Sequence, residues 1–285
     1  MNHLLSRAWS VYRDLGARGL AQASSNYVRY GSFRHDMIGS LPVNVRLIDG
    51  YVSTAHRLFP QRYTDAAPSK RIWIDPCDLS LDVSHTDLPR RFGRVCGGDW
   101  DNNAQSVHDT TVYRALEARF NHQRPWEETR YYQRKRDRLE SGLPTRGCSS
   151  IADLPAYFSK IEQLYEAIAD HGYLTQETLA RTAPRETEHL NLDAPCPVLN
   201  EIGVSIGRAG TLYRHYRGLH RLTIAQLLDL DEVPIQILVR HHEWQRIRND
   251  LHDGIELSDV SGSDSEELLR THPDLRQFFT DKRTS

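Results

Sequence analysis

The residues best suited to chemistry lie in the segment Gly218-Leu-His-Arg221, between strand-like segments and an apolar helical pattern. A glycine ahead of a helix lets backbone N–H groups approach an anion closely, and the helix dipole favours negative charge at the same place. His220 and Arg221 add two nitrogen-bearing side chains, and Arg217 lies close enough in sequence to assist. These residues predict a phosphate site, while their spacing fits a capping histidine and an arginine paired with a carboxylate equally well.

A second candidate is the segment Gly97-Gly-Asp-Trp-Asp101. In an extended conformation Asp99 and Asp101 point to the same side, with Trp100 opposite. Two carboxylates beside a phosphate site would suit Mg²⁺, or one of them could act as a base towards an incoming hydroxyl group. The alternative is an Asx-turn in which Trp100 anchors the segment in the core.

The segment from Trp126 to Arg138 mixes basic and aromatic side chains. Such a face could follow a nucleic-acid backbone while its rings stack on bases. The alternative is a solvated helix whose tyrosines pack inward. The basic and aromatic residues after Trp126 are Arg130, Tyr131, Tyr132, Arg134, Lys135, Arg136 and Arg138.

Histidine and cysteine spacing gives only weak metal signals. His241 and His242 are neighbours on a predicted strand and should point to opposite faces, so we interpret them as surface residues. The four cysteines are widely separated and form no CxxC or zinc-type spacing, which favours free thiols.

Composition sets limits on these hypotheses. The chain has 285 residues, 39% of them hydrophobic, so we expect one elaborated domain or two small ones. With 36 Lys and Arg against 38 Asp and Glu, its net charge of −2 argues against a general nucleic-acid or membrane binder. No apolar run reaches the roughly 18–20 residues of a transmembrane helix, and charges interrupt the first twenty residues. We therefore expect a cytoplasmic protein.

Residue patterns predict the elements that position the candidate residues. Residues 1–70 should form an extension, with a basic amphipathic helix in 1–35 and a loop with short extended pieces in 36–70. We expect the helix to pack on its own domain rather than on a membrane. Residues 71–248 should form the main domain, and the acidic residues 249–285 a solvated tail. The predicted elements of the main domain are a strand at 72–74, helices that begin near Asp109 and Pro125, a helix around Ile161 that ends at Gly172, strands at 202–206 and 211–216 joined by a turn, a helix at 219–230, a strand at 233–239 and a closing helix from Trp244.

The order of these elements is similar to that of the ParB N-terminal/sulfiredoxin-like superfamily. The matching segments are the strand 72–76, the helix 161–172, the hairpin 202–216, the turn Gly218-Leu-His-Arg221 and the strand 233–238. The match is discontinuous, with 77–157 and 174–198 as insertions. The resemblance implies an α/β (α+β) fold with a small mixed sheet and flanking helices, enlarged here by a helical insertion at 77–157.

The superfamily includes CTP-binding partition proteins, ATP-using sulfiredoxins, a free-serine kinase and nucleases. The resemblance implies that Gly218, His220 and Arg221 contact the phosphates of ATP or another nucleotide. Leu219 stands where sulfiredoxins have their reactive cysteine, which excludes sulfinic-acid repair. The same leucine replaces the glutamate of the partition proteins, and Arg217 replaces an acidic residue of many members.

The leading functional hypothesis is a nucleotide-binding protein that transfers phosphate from a nucleoside phosphate to a small-molecule acceptor. Arg217, Gly218, His220 and Arg221 would bind the nucleotide, and Asp99 or Asp101 would hold Mg²⁺ or, with His220, act in catalysis. The alternatives are a nucleic-acid-binding or nuclease-like ParB-type module, and a non-catalytic scaffold with the same fold.

Overall fold

The computed structural model of the chain describes residues 45–182, 197–260 and 266–280. The helices of these ranges are α1 (Val45–Leu58), α2 (Thr111–Phe120), α3 (Arg130–Glu140), α4 (Leu154–His171), α5 (Gln176–Thr182), α6 (Leu219–Leu227), α7 (His242–His252), α8 (Leu257–Val260), α9 (Glu266–Thr271) and α10 (Gln277–Thr280). The strands are β1 (Ile72–Ile74), β2 (Leu81–Asp82), β3 (Arg94–Cys96), β4 (Gln105–Ser106), β5 (Ile202–Ile206), β6 (Leu212–Arg214) and β7 (Val233–His241). None of these helices is both long enough and apolar enough to span a bilayer.

The seven strands form one mixed sheet in the order β1-β7-β5-β6-β2-β4, with β3 also paired to β7. β5 runs parallel to β7 along one edge, while β1 (antiparallel) and β3 (parallel) pair with the first and last residues of β7. Because a strand has only two edges, β1 and β3 lie end to end on the edge opposite β5. The three strands β3, β5 and β7 therefore run in the same direction and end at the same side of the sheet.

Burial explains the sequence of the central strands. β7 is buried at all nine of its positions, as expected for a strand covered on both faces, and its sequence does not alternate between apolar and polar residues: the polar residues Gln236, Arg240 and His241 are buried with the apolar ones. Pro234 lies at its second position and faces Trp73 of the short strand β1. The predicted strands at 72–74, 202–206 and 233–239 are confirmed, as is the mixed α/β class of the fold.

The helices α2, α3, α4 and α6 form a layer that packs around an apolar cluster of its own. Leu116, Phe158 and Ile224 lie at its centre and are almost completely buried. The segment 77–157, expected to be a helical insertion, supplies α2 and α3 but also β2, β3 and β4. These strands have two or three residues each, too few to show an alternating pattern in the sequence.

Helix starts in this layer differ from the prediction by a few residues. The helix expected from Pro125 is a 3₁₀ turn at Trp126–Glu128 followed by α3, which begins at Arg130. Thr129 caps α3 by accepting a hydrogen bond from the N–H of Tyr132. Thr110, not Asp109, caps α2 in the same way. In both places a threonine has the extended backbone that an N-cap requires.

The C-terminal segment is not the solvated tail that its composition predicts. Asp274 and Leu275 are fully buried. The Asp274 carboxylate accepts hydrogen bonds from Arg240 (2.6 and 3.0 Å) and from the Trp244 indole (3.0 Å), and it lies 3.1 Å from Nη1 of Arg248. Composition predicts solvated acidic residues in this segment, but one of them closes a buried network with two arginines from elsewhere in the chain.

Some predictions fall on residues that the structure does not describe. The basic amphipathic helix expected in residues 1–35 and Cys196 lie outside the described residues. The loop expected in residues 36–70 is wrong for Val45–Leu58, which form α1 and bury Val52 and Ala55. Among the described cysteines, Cys77, Cys96 and Cys148 are free thiols, as expected. Only Cys148 is buried, while Cys77 is exposed and Cys96 is half-buried.

We expect Asp274→Asn to lower the free energy of unfolding by about 3–5 kcal/mol, because it leaves the buried Arg240 without its carboxylate and leaves Arg248 with Asp65 as its only carboxylate partner among the described residues. Urea denaturation measures this change, and Asp253→Asn, at a side chain 75% exposed, should change stability by less than about 0.5 kcal/mol. The arginines hold the pKa of Asp274 far below its usual range. The stabilisation should therefore persist above about pH 4 and be lost as the pH falls further. Equal stabilities of the Asp274 and Asp253 variants at pH 7 would contradict this role.

Candidate functional site

Helix α6 begins at Gly218, which has a left-handed backbone (φ 75°, ψ 14°). A Cβ atom at this position would lie 2.8 Å from the Cα of Ile202, so only glycine lets the chain approach β5 this closely. No side chain caps the helix, and Gly218, Leu219 and His220 are partly exposed. The leading N–H groups of α6 therefore point to a place that solvent or an anion can reach.

Arg221 does not point to this place. Its guanidinium donates to the Asn200 carbonyl (2.6 Å), to the Tyr173 hydroxyl (2.8 Å) and to the Glu201 carboxylate (3.4 Å). Glu201 is fully buried, and burial raises the pKa of its carboxyl group while Arg221 opposes that rise. The predicted phosphate contact of Arg221 is therefore replaced by a structural ion pair, the alternative that the sequence leaves open.

Arg217 is also occupied by the protein itself. It is buried, donates to the Leu199 carbonyl (2.7 Å) and stacks on the ring of Phe92 at 4.7 Å. These contacts join the turn before α6 to two other loops. Arg217 therefore positions the turn and does not extend into solvent to meet a ligand.

His220 points away from Arg221, towards α3. Its Nε2 lies 3.2 Å from the Tyr131 hydroxyl, which lies 2.5 Å from the Tyr157 hydroxyl of α4. Burial, together with the positive charges of Arg146 and Lys135, lowers the pKa of His220 to about 4. The imidazole is therefore neutral near pH 7 and belongs to a chain of hydrogen-bonding groups beside the first turn of α6.

Lys135 completes this group, which we call the tyrosine–histidine cluster (Tyr131, Tyr157, His220 and Lys135). Its Nζ lies 3.8 Å above the Tyr157 ring and donates to the Arg146 carbonyl at 2.7 Å. Burial lowers the pKa of Lys135 to about 8. The sequence contains no signal for the cluster, because Tyr131 and His220 are 89 positions apart.

Asp99 and Asp101 lie at the opposite end of β5 from Gly218. Gly218 contacts Ile202, the first residue of β5, whereas Asp101 contacts Gly207, the residue after its last. At about 3.3 Å per residue these points are roughly 16 Å apart. The structure therefore does not bring the two carboxylates to the phosphate site predicted at Gly218.

The two carboxylates bind Arg208 instead. Asp101 accepts from the backbone N–H of Arg208 (2.9 Å) and from its guanidinium (2.8 Å), and Asp99 accepts from the same guanidinium (2.8 Å). Asp101 is buried, and Arg208 lowers its pKa against the effect of burial. The segment is a 3₁₀ turn at Trp100–Asn103 rather than an extended strand, and Trp100 is buried. These residues do not fit the predicted Mg²⁺ site, because the Arg208 guanidinium already forms ion pairs with both carboxylates.

The loops around Asp99 meet at the carboxyl ends of β3, β5 and β7, where ligands of open parallel sheets commonly bind. His241 ends β7 and His242 begins α7, so the prediction that both are strand neighbours facing opposite ways is wrong. The interpretation of both as surface residues holds for His242 but is wrong for His241, which is buried. Their rings lie 4.7 Å apart. Nε2 of His241 lies 2.9 Å from the carbonyl of Gly98.

Comparisons with known proteins do not place the chain in a family: no family model, curated protein or solved structure matches it. The site is therefore interpreted from its own geometry.

We expect the stability of the wild-type protein to rise relative to that of Lys135→Met between pH 8 and about 10.5. The folded protein releases the Lys135 proton near pH 8, whereas the unfolded chain keeps it up to the ordinary value of 10.5. Folding therefore becomes more favourable across this window as the pH increases. Urea denaturation at several pH values measures the difference, with Lys160→Met, at an exposed lysine of α4, as the control. Parallel pH curves for wild type and Lys135→Met would contradict the lowered pKa.

Proposed function

We propose that this chain is a nucleotide-binding protein of ParB/sulfiredoxin-like type whose phosphate site is the first turn of α6. The observation that carries the proposal is the uncapped, partly exposed start of this helix at the left-handed residue Gly218. Backbone N–H groups and the helix dipole stabilise a phosphate group at such a position without any help from Arg221. The strand–turn–helix order around Gly218 supports the assignment to this fold type.

The tyrosine–histidine cluster supports phosphate transfer to a small-molecule acceptor. Because His220 is neutral near pH 7, it can accept the proton of an acceptor hydroxyl group while the oxygen of that group bonds to phosphorus and the nucleotide leaves. Tyr131 and Tyr157 hold the imidazole in place through their hydroxyl groups. Asp99 and Asp101 take no part in this proposal.

We expect ATP or ADP at 100 times its dissociation constant to stabilise the protein by about 2.7 kcal/mol and to raise Tm by about 5 °C. Adenosine, which lacks phosphate, should not raise Tm. Amide resonances of Leu219 and His220 should shift on addition of ATP, because their N–H groups face the phosphate. Failure of ATP, ADP, CTP and GTP alike to shift Tm would contradict the proposal.

A matched pair of variants locates the site. His220→Asp places a carboxylate beside the first-turn N–H groups, where it stabilises the helix but repels phosphate. His220→Asn has nearly the same shape without the charge. We expect the nucleotide affinity of His220→Asp to be at least tenfold lower than that of His220→Asn, and equal affinities would place the nucleotide elsewhere.

A second candidate function is nucleic-acid binding through α3, one of the two alternatives that the sequence leaves open for this helix. The basic and aromatic residues of this helix do not share one face. Lys135 is buried and Tyr131 packs inward, while Arg130, Arg134 and Arg138 are exposed. These three arginines are four residues apart and therefore lie along one side of the helix. They can contact successive phosphates, but the tyrosines do not offer stacking surfaces.

A groove of about 210 Å³ between α2 and the start of α3 extends this basic side. Arg114, Arg124 and Arg130 line it, together with the acidic residues Asp109 and Glu128. The Arg114 guanidinium is paired with Asp109 at 2.7 Å. The arginines outnumber the acids, so the groove favours a phosphate backbone over a cation.

Replacing Arg130, Arg134 and Arg138 together by glutamine should weaken binding to a fluorescent 20-nucleotide single strand by tenfold or more. The slope of log K against log salt should also decrease, by about 0.7 for each phosphate that an arginine no longer neutralises. Fluorescence anisotropy at several salt concentrations measures both quantities.

A control with the same change in charge replaces three exposed arginines on other elements, namely Arg57, Arg246 and Arg270. If this control weakens binding as much as the α3 variant does, the interaction reflects net charge and α3 is not the binding surface.

A further inference from the structure

The junction between β7 and α7 brings three metal-binding side chains together. Ligand atoms of His241, His242 and Glu243 all lie within 4.8 Å of one another. His241 is 1% exposed, whereas the side chains of His242 and Glu243 are 57% and 44% exposed. One ligand is therefore fixed in the core, and two can adjust around an ion that arrives from solvent.

The loop after β3 orients His241. Its Nε2 lies 2.9 Å from the Gly98 carbonyl oxygen, and a carbonyl can only accept, so Nε2 carries the proton. Nδ1 therefore carries no hydrogen, and it accepts a hydrogen bond of 3.3 Å from the N–H of Glu243 that caps α7 and that a bound ion would replace. A histidine that donates one ring N–H to a backbone carbonyl and offers the other nitrogen is the usual arrangement of a metal ligand.

The same loop also positions His242. A Cβ atom at Gly97 would lie 2.8 Å from Nδ1 of His242, so the imidazole rests against backbone that only glycine leaves uncovered. Gly98 bends the chain with a φ of 90°, which directs its carbonyl towards His241. The two adjacent glycines thus hold two adjacent histidines, and this is a built arrangement rather than a chance meeting of surface side chains.

We propose that His241, His242 and Glu243 form a binding site for a divalent first-row transition-metal ion such as Zn²⁺. Two imidazoles and one carboxylate suit this class of ion, whereas Mg²⁺ and Ca²⁺ prefer ligand sets made of oxygen. The three ligands leave at least one coordination position for water or a substrate. The site lies at the carboxyl ends of β3, β5 and β7, away from Gly218, and does not depend on the proposed nucleotide site.

Nearby charges permit a cation here. The N-terminus of α7 is unfavourable to a cation, but the carboxylate of Glu243 lies in its first turn and offsets the helix dipole. Arg208, which donates to the same Gly98 carbonyl as His241 does, is paired with the two carboxylates of Asp99 and Asp101, so its positive charge is offset. Tetrahedral zinc ligands lie about 3.4 Å apart, so only the exposed side chains of His242 and Glu243 need to close slightly around the ion.

Titration of the tag-free full chain with Zn²⁺ at pH 7.5, followed by competition with a chromophoric chelator, tests the proposal. We expect one ion per chain with a dissociation constant in the micromolar range or below, and no competition from millimolar Mg²⁺. His242→Ala and Glu243→Gln should each raise the dissociation constant tenfold or more. His252→Ala, at an exposed histidine at the far end of α7, should leave it unchanged.

Gly97→Ala distinguishes a built site from adventitious surface histidines. The variant keeps every ligand, but its methyl group displaces the imidazole of His242, so zinc affinity should fall although the far-ultraviolet circular dichroism spectrum stays the same. Unchanged affinity in His242→Ala or in Gly97→Ala, or wild-type binding weaker than millimolar, would overturn the proposal.

Discussion

The complete burial of β7 is the constraint on which the candidate sites depend. Every backbone group of a buried strand needs a partner, and β7 finds its partners in β5 on one edge and in β1 and β3 on the other. Because β3, β5 and β7 run in the same direction, the loops that follow them emerge together. This parallel pairing brings Gly98, Arg208 and His241 into contact although they are far apart in the sequence.

A second constraint acts at the other end of β5, where Gly218 touches Ile202. The contact fixes where α6 begins and therefore the direction of each side chain in its first turn. Consecutive helical residues point about 100° apart, so His220 reaches Tyr131 of α3 while Arg221 reaches Glu201. A motif that is continuous in sequence is thus divided between a partly exposed cluster and a buried ion pair.

Several of the charged residues that the sequence offers as ligand-binding candidates form arginine–carboxylate pairs with each other in the structure. A buried charge is costly unless it is paired, and the planar guanidinium group satisfies a carboxylate with two parallel hydrogen bonds. Several carboxylates and arginines of this chain meet this requirement within the protein and so are not available to ligands. The pairs are Asp274 with Arg240 and Arg248, Asp82 with Arg214, Asp101 with Arg208, and Glu201 with Arg221.

The sequence by itself determined the local elements: the strands β5 and β7, the turn at Gly218 and the helix that ends at Gly172 follow from hydrophobic period and glycine placement, which act over a few residues. Only the tertiary structure decided which charged side chains face each other, because the partner of Arg221 is 20 positions away and the partner of Arg208 is 107 away. The tyrosine–histidine cluster and the burial of Asp274 were likewise decided only by the tertiary structure. Such contacts depend on how helices and strands pack, and no periodicity along the chain records that packing.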